Sequence, residues 1–317
     1  MAQDYDCIVC GSCVVDLVCK PVALDLPIGA GVLHHTDPVV LTAGGITSNA
    51  GAAMSRLGAR VGVLSYVGRD AWADVVRSIF QKEGVDDQLL LTHPQGATST
   101  TMVAVDPSGE RSFLHCVGAP RQLDAKTVLA HLDVIGRSRF FLLGYYSFMP
   151  NLEADLPELF KAIAATGCKT AMDAAGEGGG MQPLDRTLPH LDVYVPSHGE
   201  AKHQTGHDDP EKIIAAYRDC GAPGILGVKL GAEGVMLSPS ADEYLKVPAV
   251  TPPGDVVDTT GAGDNFYGGL IVGLNRGMEL EAAGRLGTAT AAYSVTAMGG
   301  IEGGRNFEQT AKLAGLV

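Results

Sequence analysis

The sequence predicts an α/β protein: a three-layer, Rossmann-like sandwich with a parallel sheet between helices, carrying a small β-sheet lid. Three observations point there. Short apolar runs alternate with stretches of helical period along most of the 317 residues, and strand–helix alternation is the mark of a parallel sheet covered on both faces. Two stretches, about 14–44 and 98–116, break that rhythm with β-rich runs and no helical period. Glycine is abundant, 41 of 317 residues, where the usual share is about 7%. It follows no Gly-X-Y period, so it marks tight turns and close backbone approaches.

Taken in order, residues 7–10 form a first short strand that ends in Gly11-Ser12. The stretch 14–44 holds Pro21, Pro27 and Pro38 and alternates without helical period. Ala50, Ala53, Met54 and Leu57 then follow the i, i+3, i+4, i+7 rule of an amphipathic helix, with Gly58 at its end. A strand over 61–67 leads to Asp70, which caps a helix carrying Trp72, Val76 and Ile79. The segment 98–116 reads as a hairpin: strands 100–105 and 111–116 around the turn Asp106-Pro107-Ser108-Gly109. Further strands are expected at 140–143, 169–173, 191–195, 225–230 and 235–238. Helices are expected near 153–166, 210–220, 264–276 and 279–298. The two irregular stretches fold together most economically as one lid over a site at the strand ends.

Apolar residues make up 46% and charged residues 19%, enough for a full core and too apolar for disorder. No repeat, low-complexity tract or linker divides the chain, so residues 1–317 read as one domain with its lid. Lys and Arg total 23 against 36 Asp and Glu, a net charge of −13. That balance leaves no electrostatic footprint for nucleic acid or an anionic membrane. The longest strongly apolar run, 140–149, is too short to span a bilayer. The start, Met1 to Asp6, is acidic, unlike a signal peptide. Seven cysteines, an odd number, argue for reduced thiols rather than a disulfide framework. The expectation is a soluble, cytoplasmic protein.

The strongest chemical signal is Asp258-Thr259-Thr260-Gly261-Ala262-Gly263-Asp264, which opens a helix carrying Phe266, Leu270, Ile271 and Leu274. Small residues before a helix expose N–H groups at its positive end, which attracts anions. A carboxylate there is awkward unless it takes a proton from a nucleophile attacking a bound phosphate. The other reading is a plain helix cap. Phe266 occupies the third glycine position of a dinucleotide fingerprint, and no Gly-Lys-Ser/Thr of a P-loop occurs. A second signal is Gly44-Gly45-Ile46-Thr47-Ser48-Asn49. Paired glycines admit a ligand to the backbone, and Asn49 both donates and accepts, as sugar hydroxyls need. A turn with an Asn cap fits as well. Asp16 is a third polar candidate, or a solvated loop carboxylate.

Together these segments resemble the ribokinase-like, phosphofructokinase-B family of carbohydrate kinases. Gly11-Ser12 with Asp16, Gly44-Gly45 with Asn49, Gly68-x-Asp70, Gly109-Glu110-Arg111, Gly231-x-x-Gly234 and the 258–264 motif occur in that family's order, from Gly11 to about Gly303. The resemblance implies a ribokinase-like fold and an ATP-dependent sugar kinase acting on a primary hydroxyl, of ribose, fructose or a related sugar. A nucleoside kinase and a non-catalytic sugar sensor are the alternatives. It implies Asp264 as the catalytic base and the Gly261, Ala262 and Gly263 amides as the anion hole. It places Asp16, Gly44, Gly45 and Asn49 on sugar hydroxyls, Lys229 and Gly231 along the ATP phosphates, and Glu200 on Mg²⁺ through water. It makes Asp258 and Thr260, with backbone near Ser294, Ala297, Gly299 and Gly303, a monovalent-cation loop, from which activation by K⁺ over Na⁺ is expected. Ser197 stands where the family usually has Asn, Ala175 and Glu177 where Asn and Arg often follow Asp173, and Ile46 where ribokinases tend to carry Lys. Sticky lid edges suggest a homodimer through the lid.

Two further groupings are read as structural. On a strand Cys7 and Cys10 face opposite sides, which opposes an iron–sulfur cluster with Cys13. His198, Glu200, His203 and His207 suggest zinc, but Thr205-Gly206 ends the helix before His207.

Overall fold

The computed structural model describes residues 4–25, 31, 33–176 and 178–317; Pro27 and Glu177 lie outside them. A large sheet runs through the molecule. Its strands are β1 (Cys7–Gly11), β4 (Val61–Val67), β5 (Leu90–Thr92), β8 (Phe140–Gly144), β9 (Lys169–Asp173), β10 (Val193–Tyr194), β11 (Ile225–Lys229), β12 (Val235–Ser238) and β13 (Leu245–Val247), in the order β13-β12-β11-β10-β9-β8-β1-β4-β5. From β5 to β11 all pairs are parallel. The sheet is not parallel throughout, because β12 and β13 are antiparallel additions at one edge. A five-residue link, 230–234, with a tight turn at 231–234, joins β11 to β12, and a link that short forces a hairpin rather than a crossover.

Alternate residues of each central strand enter opposite cores. Cys7 and Val9 pack with Met54, Phe266 and Leu270 on one face. Ile8 and Cys10 pack with Phe141, Leu159 and Phe160 on the other. Cys7 and Cys10 therefore cannot share a ligand, and no group of three or more metal-binding side chains occurs among the described residues. His207 follows Gly206, whose left-handed backbone (φ 74°) ends the helix His198–Thr205. No helix among the described residues is long and apolar enough to cross a membrane.

The expected helix at 50–57 begins earlier, at Ile46, and runs to Arg56. Its first turn, Ile46 to Asn49, is buried although three of its residues are polar, which hides it from a hydrophobic-period reading. The strand expected at 191–195 shrinks to Val193–Tyr194. The last long helix, Leu280–Ser294, stops short of 298.

A second, four-stranded sheet is built from the two irregular stretches: β2 (Val14–Cys19), β3 (Val40–Gly44), β6 (Ser99–Val105) and β7 (Arg111–Cys116), in the order β3-β2-β6-β7. Its register lines up Thr42, Asp16, Thr101 and His115 across one face. The opposite face carries Leu41, Leu17, Met102 and Leu114 in one row, of which Leu41, Met102 and Leu114 are exposed. Val18, Val103 and Val105, on the polar row's side, pack against Met298 of the large body. Gly68 and Asp70 tie the sheets together: the Gly68 amide donates to Thr98 Oγ1 (2.9 Å) and Asp70 accepts from the Thr98 amide (2.8 Å).

All seven cysteines are free thiols; Cys7, Cys10, Cys13 and Cys168 are buried, and Cys116 alone is exposed. Burial pushes the thiols of Cys13 and Cys168 up to about 12, and the thiolate is the reactive form. Brief alkylation of the folded protein at neutral pH should label Cys116 first and spare the four buried thiols. Peptide mass mapping that found Cys7 or Cys10 labelled as fast as Cys116 would contradict this packing.

Candidate active site

The site lies where the helix Ala262–Asn275 begins. Gly261 precedes it with φ 74°, a conformation that costs L-residues with a Cβ. A Cβ there would also stand 2.7 Å from Asn49 Nδ2, so this turn needs glycine twice over. The Gly261 and Gly263 amides have no partner among the described residues, and both belong to the positive end of the helix. The Ala262 amide is different: it closes the turn onto Thr259 O (3.2 Å). The anion hole expected from three consecutive amides thus reduces to those on either side of Ala262. Asn265 staples the turn from below, donating to Gly261 O (2.9 Å) and Gly300 O (2.7 Å).

Asp264 is buried here, 3% exposed. Both of its hydrogen-bond donors reach the same oxygen: Asn49 Nδ2 at 2.8 Å and Tyr145 Oη at 2.8 Å, each to Oδ2. Oδ1 is left without a partner among the described residues. Burial raises the carboxyl's pKa; Asn49, Tyr145 and the Lys229 ammonium oppose that rise by favouring the charged form. Tyr145 had no sequence signal. It follows β8 in a left-handed conformation (φ 63°), uncommon for an aromatic residue and a mark of functional positions.

Around this carboxylate the expected residues converge. Gly44 packs against Asp16: a Cβ at 44 would meet Asp16 Oδ2 at 2.3 Å. Gly45, φ 81°, precedes the helix that carries Asn49, and a Cβ there would strike Ser12 O at 2.5 Å. Asp16 lies in the polar row of the small sheet, its pKa raised by burial and held back by Thr101 and His115. The Thr101 hydroxyl bonds His115 Nδ1 at 3.0 Å; neither residue was legible as a site residue. The row holds one imidazole and no lysine or arginine.

Lys229, at the end of β11, bonds both oxygens of Asp173 (2.9 and 3.0 Å) and lies 5.0 Å from the centre of the Tyr267 ring. Its Nζ approaches Gly263 so closely that a Cβ there would stand 3.1 Å away. Burial disfavours the ammonium, but Asp173 and Glu200 more than offset it, and its pKa is raised. Lys229 and Gly231 line one wall of a cleft of about 540 Å³, opposite Ala262 and Gly263; Val250, Pro252, Val256, Ala291 and Val295 make it largely apolar.

Glu200 and Ser197 form a capping box: Glu200 Oε2 accepts from the Ser197 amide at 2.7 Å, and Ser197 Oγ accepts from the Glu200 amide at 3.4 Å. The Ser197 hydroxyl accepts in the cap and keeps its own O–H to donate. Glu200 Oε1 stays unpaired among the described residues, and its charge is felt at Asp173, Lys229 and Asp264. One carboxylate beside an anion hole fits Mg²⁺, which takes few protein ligands and completes its shell with phosphate and water.

At the expected K⁺ loop the side-chain oxygens of Asp258 and Thr260 are already bonded. Asp258 Oδ1 accepts from the Thr260 amide (2.8 Å) and from Arg111 Nη1 (2.7 Å), and Oδ2 from the Gly299 amide (2.9 Å). Thr260 Oγ1 accepts from the same guanidinium at 3.0 Å. The Ser294 hydroxyl donates to Ala291 O, and Gly303 O accepts from Arg305 at 2.8 Å. A cation placed on Asp258 would face a guanidinium already bonded to it, and like charges at such range repel strongly.

The bonds to Asp264 fix a pH signature. A base must be unprotonated to act, so activity rises with pH through its pKa. Tyr145 bonds the charged form and lowers that pKa. Tyr145→Phe should move the acid limb of kcat toward higher pH by about one unit, the value of a hydrogen bond to a charged group. A tyrosine that only packs would lower the rate at every pH and leave the limb in place.

Residues 5–305 match the family model described as pfkB family carbohydrate kinase. The chain is 31% identical over 266 residues to the ribokinase of Haemophilus influenzae, across 81% of this chain and 82% of that protein. It is 28% identical over 281 residues to the 1-phosphofructokinase of Haloferax volcanii, covering 87% of each. The solved ribokinase of Arabidopsis thaliana, complexed with ribose and ATP, superimposes with a TM-score of 0.82 at 23% identity over 99% of both chains. With a turn of free amides, a buried carboxylate and a family match over nearly its whole length, the chain belongs to the pfkB family of carbohydrate kinases, phosphotransferases of sugars and nucleosides.

Proposed function

We propose that the protein transfers the γ-phosphate of ATP to the primary hydroxyl of a neutral sugar or sugar-like polyol. The observation that carries this is Asp264, with one oxygen held by two donors and the other free, beside the unpaired amides of Gly261 and Gly263. In this reading Asp264 Oδ1 takes the hydroxyl proton as the new O–P bond forms. The bond from the γ-phosphorus to the bridging oxygen breaks, and ADP leaves with that electron pair. The two amides and Lys229 stabilise the charge on the transferring group, with no reorganisation needed at the moment of reaction. Glu200 would hold Mg²⁺ through water, and the bound ion neutralises phosphate charge.

The apolar cleft suits an adenine base. One chemical argument selects a neutral acceptor: the polar row offers Asp16, Thr42, Thr101 and His115, and a carboxylate or phosphate on the acceptor would face Asp16 with no lysine or arginine in the row to balance it. Ribose, fructose and the sugar of a nucleoside all satisfy this. The residues 14–44 and 98–116 act as a lid on a single kinase domain, and the exposed row of Leu41, Met102 and Leu114 is its dimerisation face. The free thiols suit a reducing cytoplasm. In this reading Arg111, bonded to Asp258 and Thr260, supplies positive charge at that turn.

The test is ADP release across a panel of pentoses, ketohexoses, nucleosides, aldonic acids and sugar phosphates. A neutral member should turn over with the highest kcat/KM. Fastest turnover of a sugar phosphate or acid would remove the argument from the polar row, and no ADP with any acceptor would leave a sugar-binding sensor.

A further inference from the structure

Arg111 is the first residue of β7, in the small sheet, and its partners lie 147 and 149 residues away, in the turn before the anion hole. The ion pair with Asp258 is 2.7 Å long and largely buried on the carboxylate side, with 5% of the Asp258 side chain exposed. The same carboxylate orders the turn: Oδ1 fixes the Thr260 amide and Oδ2 fixes the Gly299 amide. Burial works against its charge, yet the Gly299 and Thr260 amides and Arg111 hold its pKa below the usual range.

Two other guanidiniums hold the facing segment. Arg56 Nη1 donates to Ile301 O (2.6 Å) and Gly304 O (3.0 Å), and Arg305 Nη1 to Gly303 O (2.8 Å) and Gly304 O (3.1 Å). The small sheet also packs on this segment directly, through Met298 against Val18, Val103 and Val105, and through Thr42 beside Gly299.

We propose that Arg111 supplies from the lid the positive charge that the resemblance assigns to a monovalent cation, so that the anion-hole turn is ordered by seating of the small sheet and not by K⁺. Arg111 is a positioning residue: it touches Asp258 and Thr260, and these hold Gly261 in place. A single guanidinium nitrogen, Nη1, bonds two oxygens of the turn at once through its two N–H groups, and its charge strengthens the bond to the carboxylate. The turn is complete only when β7 lies against it, so binding that closes the lid also finishes the anion hole.

The proposal rests on the kinase reading, but its first test does not need turnover. Thermal unfolding of the wild-type chain in KCl, NaCl and choline chloride at equal ionic strength should give one common midpoint, and phosphoryl transfer in the three salts should agree within about twofold. Arg111→Ala in choline chloride should lose about tenfold or more in rate, the value of a hydrogen bond to a charged group. Added K⁺ or guanidinium ion should restore part of it, and K⁺ alone should raise the variant's midpoint above its value in Na⁺. Three results would overturn the proposal: a K⁺-selective midpoint or rate in the wild type; an undiminished rate for Arg111→Ala in choline chloride; or a folded variant that no cation restores. Should Arg111→Ala fail to fold, Arg111→Gln keeps much of the apolar stem without the charge, and the same outcomes decide. No ADP in any salt, with a cation-indifferent midpoint, would count against the kinase reading alone.

Discussion

Asp264 is a carboxylate buried at the positive end of a helix, and most of the site follows from keeping it there in usable form. A charge removed from water costs several kcal/mol unless it is bonded and balanced. Asn49, Tyr145 and Lys229 meet that cost from three different elements. The two hydrogen bonds share one oxygen, so the other is aimed at whatever enters. Had the donors been divided between the oxygens, neither would be left free of protein partners.

The same requirement explains the close approaches of backbone around it. Gly261 must be left-handed and must let Asn49 pass; Gly44 must let Asp16 lie flat against it. The first of these contacts lies within the large body and the second within the small sheet. Gly68, Asp70 and Thr98 join the two at the root of the small sheet, and Arg111 joins them at the anion-hole turn. A small sheet held at its root and at the turn fixes its polar side chains relative to the anion-hole turn.

Much of this was legible in the sequence. The strands at 61–67, 169–173, 235–238 and 111–116 fall where their apolar runs place them, because each is bounded by a turn residue and nothing competes. The Gly-rich motifs and Asp264, Asn49 and Asp16 could be picked out because glycine and carboxylate chemistry leaves a local trace. What escaped is long-range. Tyr145 sits 119 residues from its partner, and its left-handed backbone has no signature in the residues beside it. The Gly109-Glu110-Arg111 segment was visible, yet Arg111's partners, Asp258 and Thr260, were not. The antiparallel edge strands depended on a tight turn at 231–234 that resembles a helix connection from the sequence alone. The polar first turn at Ile46–Asn49 hides from any hydrophobic period because its burial serves the site rather than the core.

The central claim is that Asp264 acts as a base and does not merely cap a helix. Asp264→Asn preserves shape and both donor contacts but cannot take the proton. Steady-state kinetics and calorimetric ATP binding on the same folded variant separate the two roles. The account predicts kcat lower by about 10²–10⁴, the usual worth of a general base, with ATP affinity kept or strengthened by loss of a nearby negative charge. A fall of less than about tenfold, below that range, would contradict it and leave Asp264 a cap.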